Sequence, residues 1–219
     1  MRDLLRSLRV YVMTSSGLVP GRDHLDVARA AIEGGATAIQ LRAPELEDRP
    51  QELLALATEV AGRCHDAGVL FIVNDVIDVA IESGADGVHL GQGDEAQGAR
   101  ARLGGSLVLG VSVETPGQAR EASNIGADYL GVTVFATPTK PEARPVGLDG
   151  LREIAAATSL PVVGIGGIDA SNAPEVLAVG AAGVAVVSAV GAAEEPVEAT
   201  RELSRVVSDF FNEHNPGSS

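Results

Sequence analysis

Gly126-Ala-Asp-Tyr-Leu-Gly-Val-Thr-Val-Phe135 contains, within ten residues, a helix end, a tight turn and a buried strand. Its glycine suits the left-handed conformation in which many helices end, and its alanine packs the short turn. The apolar, β-branched run that follows is typical of a strand in a parallel sheet covered on both faces. The same turn recurs as Gly35-Ala-Thr-Ala38, Gly84-Ala-Asp-Gly87 and Gly180-Ala-Ala-Gly183. This recurrence predicts a duplicated helix–turn–strand unit.

Short apolar runs alternate with longer helical patterns eight times along the chain. Strands are predicted at 10–14, 38–42, 70–73, 87–90, 107–112, 129–135, 161–165 and 183–187. Helices are predicted at 24–34, 50–67, 76–83, 94–103, 116–125, 148–157, 171–179 and 196–211. This order predicts a (β/α)8 TIM barrel of the α/β class, one domain over residues 1–211 with a disordered polar tail at 212–219.

The charge balance and the single cysteine limit the partners and the compartment. Thirty acidic residues against 16 basic ones give a formal net charge of −14. Such a surface repels nucleic-acid phosphates, so we expect small-molecule substrates and no nucleic acid. Cys64 has no cysteine partner, the N-terminus is too charged for a signal peptide, and no apolar run reaches membrane-spanning length. We therefore expect a cytoplasmic protein without a membrane partner, and a homo-oligomer is one of the states that the sequence allows.

Polar residues follow the predicted strands directly, at the barrel end where such folds place their chemistry. Thr137-Pro-Thr-Lys140 comes after the sixth strand and offers two hydroxyls and a cation, a set that suits an oligophosphate. Taken alone it suits an ordinary polar loop equally well. Gly164-Ile-Gly-Gly-Ile168 is typical of a phosphate cradle, with Asp169 or Ser171 capping the next helix, or else of a tight packing turn. Amides at Val187 and Ser188 would complete the cradle.

The second to fifth strands end in groups that suit a metal, a heterocycle and an anion. Asp75 and Asp94 follow adjacent strands, and their hard oxygens suit Mg²⁺, although each also suits a helix cap. Gln40 and Arg42 alternate on one strand and so share a face, where they offer an amide and a phosphate-binding fork. Ser112 suits donation to either ligand or simply ends its strand. His89 is interpreted as a hydrogen-bonded core histidine in preference to a ligand or base.

Seven of these motifs, taken in their order along the chain, resemble those of the thiamine-phosphate synthase family. The resemblance extends from Val10 to about Phe210. The family joins a hydroxymethylpyrimidine diphosphate to a thiazole phosphate with bound Mg²⁺ and releases diphosphate. The resemblance therefore implies an Mg²⁺-dependent transferase of thiamine biosynthesis on a TIM barrel. The matching motifs are Gln40-Leu-Arg42, Val73-Asn-Asp75, His89-Leu-Gly-Gln92 with Asp94, Gly110-Val-Ser112, Thr137-Pro-Thr-Lys140, Gly164-Ile-Gly-Gly-Ile168 and Val187-Ser-Ala189.

The same resemblance implies roles for single residues. Gln40 would contact the aminopyrimidine, with Tyr11 nearby, and Ser112 would assist the leaving group or orient the ring. The cations Arg42 and Lys140 would act on the leaving group as catalytic residues. The implied ligands of the diphosphate are Arg42, Asn74 and Lys140, those of Mg²⁺ are Asp75 and Asp94, and those near the thiazole phosphate are Thr137, Thr139, Gly166, Gly167, Val187 and Ser188.

The chain departs from the family pattern after Arg42. The family usually continues with an acidic residue and a lysine, whereas Ala43 and Pro44 follow here, and Glu114 stands where relatives often have histidine. The loop after Phe135, Arg22 and Arg144 are candidates to replace the missing cation, and a natural substrate with less charge is the alternative. Two other functions stay open at this point. One is a thiazole tautomerase, and the other is a non-catalytic barrel that binds a thiazole phosphate.

Overall fold

The computed structural model describes residues 3–91, 94–137 and 144–214, with Asp94 and Glu95 described by their backbone alone. Its strands form a closed parallel barrel in chain order, and the last strand pairs with the first. The TIM-barrel prediction is therefore confirmed. The strands are β1 (Val10–Met13), β2 (Ala38–Leu41), β3 (Leu70–Asn74), β4 (Gly87–Leu90), β5 (Val108–Ser112), β6 (Tyr129–Thr133), β7 (Val162–Ile165) and β8 (Gly183–Val186).

Helices alternate with these strands and cover the outside of the barrel. They are α1 (Leu4–Ser7), α2 (His24–Glu33), α3 (Pro50–Ala67), α4 (Ile77–Glu82), α5 (Asp94–Leu103), α6 (Pro116–Asn124), α7 (Gly147–Ala156), α8 (Ala173–Ala178), α9 (Ser188–Gly191) and α10 (Pro196–His214). The predicted strand ends agree within two residues. The short helices α1 and α9 were not predicted. Helix α10 continues past 211 to His214, whose ring stacks on Phe210 with centroids 4.2 Å apart.

The four glycine–alanine turns are left-handed, as predicted. The φ angles of Gly35, Gly84, Gly126 and Gly180 are 94°, 75°, 84° and 110°. A residue with a side chain rarely adopts such angles, so glycine is the residue that lets each helix end and the chain enter the next strand at once. The turns all lie at the amino-terminal end of the barrel, opposite the ends that carry the polar residues.

Two apolar layers hold the barrel together. The larger lies between helices and sheet, and it includes the buried thiol of Cys64. The smaller fills the inside of the barrel, with Tyr11 and Tyr129 as its largest members. Because side chains fill the centre, a ligand must bind at the carboxyl-terminal mouth. Across the residues that the structure describes, no helix has the length and apolarity to cross a membrane.

Candidate active site

A cavity opens to solvent at the carboxyl-terminal mouth of the barrel. Residues from several strands that are distant in sequence converge on it, as the barrel topology requires. The structure thus brings together most of the site predicted from sequence, while the roles of the residues stay predictions. The predicted residues that line the cavity are Gln40, Arg42, Asn74, Ser112, Thr137, Gly166, Gly167, Val187 and Ser188.

Sequence reasoning missed a set of lining residues that lie just below the strand ends. Of these residues, Thr133 could have been found by strand alternation, because it lies two residues beyond Gly131, which pairs with Ser112. Alternation along a strand therefore puts Thr133 on the inner face. The others read as ordinary core residues in the sequence. The missed lining residues are Met13, Thr133, Ile165, Ala185 and Val186, and the cavity is also lined by His89 and Ile168, which the sequence analysis had named.

The β7–β8 wall of the cavity is made largely of main chain. Gly166 and Gly167 have φ angles of 84° and 62°. A Cβ atom on Gly166 would lie 2.8 Å from the carbonyl oxygen of Phe135, and one on Gly167 would lie 2.8 Å from the Cβ of Phe135. Both the backbone conformation and the close packing therefore require glycine at these two positions.

The predicted cap of the following helix is wrong, and the actual cap residue supports the cradle. Helix α8 has Asn172 as its N-cap residue, and the side-chain amide of Asn172 donates to the carbonyl oxygen of Gly167 at 2.9 Å. Asp169 instead accepts hydrogen bonds from the backbone N–H and the hydroxyl of Ser171. These bonds lower the pKa of Asp169. Asn172 thus fixes the cradle from behind, a role that only the folded structure reveals.

The opposite wall depends on the side chains of β2 and β3. Arg42 is half-buried and is the one cation among the described residues that line the cavity. Beyond it, Pro44 begins a short 3-10 turn that points Glu45 toward the β1–α2 loop. Glu45 accepts a hydrogen bond from Ser16 and lies 2.7 Å from the buried ring of His24. Burial would raise the pKa of Glu45, but the bonds from Ser16 and His24 outweigh it and lower the pKa.

Neither arginine that is a candidate for the missing cation contributes to the cavity wall. The guanidinium of Arg22 donates to the carbonyl oxygens of Gly191 at 2.9 Å and Ala193 at 2.6 Å, so it caps the end of α9. Arg144 is exposed, and the lining residues that the structure describes do not include it. The expectation for Arg22 is therefore wrong, because its donors are already used in holding two loops together.

Asp75 directly follows Asn74 at the end of β3, but it is not among the residues that line the cavity and borders a separate pocket with Glu47 and Arg102. Its φ angle of 61° is the one positive value among the described residues other than glycine. Its carboxylate accepts from the side chain of Asn74 at 2.5 Å and from the backbone N–H of Gly91 at 3.3 Å. A left-handed residue at a functional loop stores strain, which the surrounding contacts must hold in place. This geometry holds the Asp75 carboxylate at the mouth of the barrel.

The chemistry of the carboxylates that follow β3 and β4 suits Mg²⁺. Asp94 begins α5 directly after β4, the strand next to the one that Asp75 follows. Within the described part of the chain there is no cluster of three or more His, Cys, Asp or Glu side chains that could hold a metal. Mg²⁺ does not require one, since it usually takes one or two protein carboxylates and completes its shell with water and phosphate oxygens. The predicted residues Thr139 and Lys140 lie outside the described residues.

His89 is a buried, hydrogen-bonded histidine, as the sequence interpretation held. Its Nδ1 lies 2.9 Å from the hydroxyl of Tyr129 and its Nε2 lies 3.0 Å from the hydroxyl of Ser112. Tyr11 is also buried, and its hydroxyl accepts a hydrogen bond from the amide of Gln40. The polar groups of the cavity floor therefore continue downward into the barrel.

Comparison with known proteins points to one family. The family model described as thiamine monophosphate synthase matches residues 10–190. A thiamine-phosphate synthase of Chloroflexus aurantiacus is 48% identical over 91% of this chain and 93% of its own length. One from Moorella thermoacetica is 49% identical over 90% and 95% of the two chains. A solved structure of thiamine phosphate pyrophosphorylase from Pyrococcus furiosus superposes with a TM-score of 0.86 at 40% identity, covering 95% of this chain and 99% of that one.

Proposed function

Because the chain belongs to the thiamine monophosphate synthase family, we propose that it transfers a pyrimidinylmethyl group to a thiazole phosphate in thiamine biosynthesis. The donor is hydroxymethylpyrimidine diphosphate, and diphosphate is the leaving group. The observation that carries the proposal is a single cavity whose two walls suit different ligands. One wall offers the charged and amide side chains of Arg42, Asn74 and Gln40, and the other offers the glycine cradle at Gly166 and Gly167.

The side-chain wall suits the pyrimidine diphosphate. The amide of Gln40 can donate to and accept from an aminopyrimidine, whose edge carries an N–H donor and a ring-nitrogen acceptor. The guanidinium of Arg42 offers a planar fork to the diphosphate, and Asn74 adds an N–H donor. Ser112, on the cavity floor, supplies a hydroxyl between the two groups. Lys140 would add a second cation from the loop after β6.

The main-chain wall suits the thiazole phosphate. Gly166 and Gly167 let the backbone approach an anion closely, and the amides at Val187 and Ser188 begin the short helix α9 beside them. In this barrel type, the loops after the seventh and eighth strands and a short extra helix are a frequent phosphate site. Thr137 lines the same cavity and offers a hydroxyl.

The reaction needs positioning and charge rather than a nucleophilic side chain. The bond between the exocyclic methylene carbon and the diphosphate oxygen breaks, and the diphosphate departs with the electron pair. The ring amino group delocalises the positive charge left on carbon, and the lone pair of the thiazole nitrogen then forms the new C–N bond. No net proton transfer is required, so the residues have to bind, align and neutralise.

We also propose Mg²⁺ dependence through Asp75 and Asp94. Bound there, Mg²⁺ would neutralise charge on the departing diphosphate, in a protein whose own charge is −14. The strained backbone at Asp75 supports this role, because its carboxylate is held in a hydrogen bond with Asn74, the proposed diphosphate ligand. A cytoplasmic location and a homo-oligomeric state stay predictions.

The other candidate functions are less well supported. The tautomerase is disfavoured because the relatives reported above are named as synthases or pyrophosphorylases over more than nine-tenths of this chain. A non-catalytic barrel would have little use for two carboxylates that bind a metal. The chain retains both Asp75 and Asp94.

A coupled assay tests the proposal. The purified protein is incubated with pyrimidine diphosphate, thiazole phosphate and Mg²⁺, and thiamine phosphate and free diphosphate are measured. We expect both products in equal amounts and their loss when EDTA replaces Mg²⁺. Binding of thiazole phosphate without any product would contradict the synthase function. In the same assay, Lys140→Ala should lower turnover far more than it weakens thiazole phosphate binding, and equal losses would place Lys140 at the other phosphate.

A further inference from the structure

Five polar side chains form a continuous hydrogen-bonded chain across the inside of the barrel. The amide nitrogen of Gln40 donates to the Tyr11 hydroxyl at 2.8 Å, and that hydroxyl lies 3.0 Å from the hydroxyl of Tyr129. Tyr129 then contacts Nδ1 of His89 at 2.9 Å, and Nε2 of His89 contacts the Ser112 hydroxyl at 3.0 Å. We call this chain the relay. Its two ends, Gln40 and Ser112, both line the cavity.

The barrel interior makes specific room for the relay. A Cβ atom on Gly110 would lie 2.2 Å from Cζ of Tyr129, and one on Gly131 would lie 2.8 Å from Cε1 of His89. Glycine in the middle of a strand weakens it unless another group must approach closely. These two glycines in β5 and β6 admit the two rings. The strands β5 and β6 therefore carry the glycines that the relay requires.

Because the two tyrosines of the relay are buried, each of their hydroxyl hydrogens needs a hydrogen-bond acceptor. Tyr11 and Tyr129 are 1% and 0% exposed, and burial raises the pKa of both hydroxyls well above the usual value. Both are therefore protonated and must each donate one hydrogen bond. A buried donor left without an acceptor costs about 1–3 kcal/mol. Only arrangements in which each group donates to the next avoid that cost.

Two such arrangements exist, and they run in opposite directions. When the Gln40 nitrogen donates to Tyr11, Tyr11 donates to Tyr129 and Tyr129 donates to Nδ1 of His89. The ring then carries its proton on Nε2 and donates to Ser112, which is left to donate into the cavity. When the amide is turned over, every donor and acceptor is exchanged, His89 carries its proton on Nδ1, and Ser112 donates to His89.

We propose that Tyr11, Tyr129 and His89 are positioning residues that couple the two ends of the relay. An anion beside Ser112 needs a donor there, so it selects the direction in which Ser112 donates into the cavity. That direction holds the Gln40 nitrogen on Tyr11 and leaves the Gln40 oxygen available to the amino group of a heterocycle. Anion binding and heterocycle recognition thus favour each other. The inference rests on the proposed function, because it takes diphosphate and an aminopyrimidine as the two ligands.

Fragment binding tests the coupling without catalysis. Calorimetry measures the affinity of the unphosphorylated hydroxymethyl aminopyrimidine with and without saturating diphosphate and Mg²⁺. We expect diphosphate to tighten pyrimidine binding about fivefold to tenfold, within the usual range of coupling between sites. In Tyr129→Phe the factor should fall to near one while each fragment still binds alone. The control Leu70→Val alters the same inner layer at a residue whose strand partner is Ala38 and not a member of the relay, so it should keep the coupling.

The outcomes separate the relay from the proposed function. If neither fragment binds the wild-type protein, the proposed function fails. If both bind but the coupling in Tyr129→Phe equals that of the wild type, the relay inference fails and the function stands.

The protonated nitrogen of His89 gives a second test, on the unaltered protein. Imidazole ¹⁵N spectra, assigned by loss of the signal in His89→Gln, report which ring nitrogen carries the proton. With diphosphate and Mg²⁺ bound, we expect a neutral ring with the proton on Nε2. A proton on Nδ1, or on both nitrogens, would overturn the proposed direction. This measurement decides the question even if Tyr129→Phe fails to fold.

Discussion

The two walls of the cavity are formed by different parts of the chain. The β7–β8 wall is main chain, with two left-handed glycines held by Asn172 and by packing against Phe135. The β2–β3 wall is side chain, with Arg42 as its one described cation. The first wall keeps its donors whatever the surface charge of the protein. The second must create positive potential within a chain of net charge −14.

This difference predicts how each wall fails. A main-chain site depends on backbone conformation, so its weak points are the glycines that permit that conformation. A side-chain site depends on a few charges, so its weak points are single cations. In the proposed function, the leaving group would bind at the charged wall, where charge develops during the reaction. The acceptor phosphate, whose charge does not change, would bind at the main-chain wall.

The largest expected effect comes from removing the charge on Arg42. In Arg42→Ala, kcat/KM for the pyrimidine diphosphate should fall about 100- to 1,000-fold, because a positioned donor to developing charge contributes on this scale. Thiazole phosphate binding should change little. Steady-state kinetics and calorimetry measure the two effects. Arg63→Ala is the control, because it removes the same charge from a surface ion pair with Glu59.

A substitution in the main-chain wall should have a smaller effect, and this effect should fall on the thiazole phosphate. In Gly167→Ala, the left-handed backbone and the contact with Phe135 are both disturbed, so KM for thiazole phosphate should rise about tenfold, which corresponds to about 1.4 kcal/mol. KM for the pyrimidine diphosphate should stay close to the wild-type value. Equal changes in both values would show that the walls are not independent.

Gly68→Ala separates backbone strain from loss of the cradle. Gly68 ends α3 with a φ angle of 71°, and a Cβ atom there meets open space. The substitution should lower the free energy of unfolding by about 1 kcal/mol and leave both KM values unchanged. Thermal unfolding and kinetics on the same preparation check this.

The smallest expected effect is a gain in affinity for the pyrimidine diphosphate at the charged wall. Pro44 stands where the family usually has lysine, and it is exposed at the start of the 3-10 turn. Pro44→Lys should lower KM for the pyrimidine diphosphate by about twofold to fivefold, since one solvated charge contributes at most about 1 kcal/mol. Pro44→Ala is the control for loss of the proline ring. An unchanged KM in Pro44→Lys would mean that this turn holds residue 44 away from the diphosphate.

Residues that follow strand ends could be predicted from the sequence with good accuracy. Arg42, Ser112 and Gly167 line the cavity because barrel topology alone brings strand ends to one mouth. The prediction failed where a side chain has two possible partners. Arg22 was a candidate for the diphosphate, yet its guanidinium caps α9, and the sequence contains no signal of that distant contact.

The sequence was sufficient for the (β/α)8 order, the helix-ending turns and the family, because each depends on neighbours along the chain. Periodicity, glycine at left-handed turns and short motifs are all local. The relay from Gln40 to Ser112 was visible only in the tertiary structure, because its members come from five strands and meet only when the barrel closes. The same holds for the contact between Glu45 and His24, whose Nε2 lies 2.7 Å from the Glu45 carboxylate. Hydrogen bonds between distant strands require three-dimensional distances, and no pattern along the chain encodes these directly.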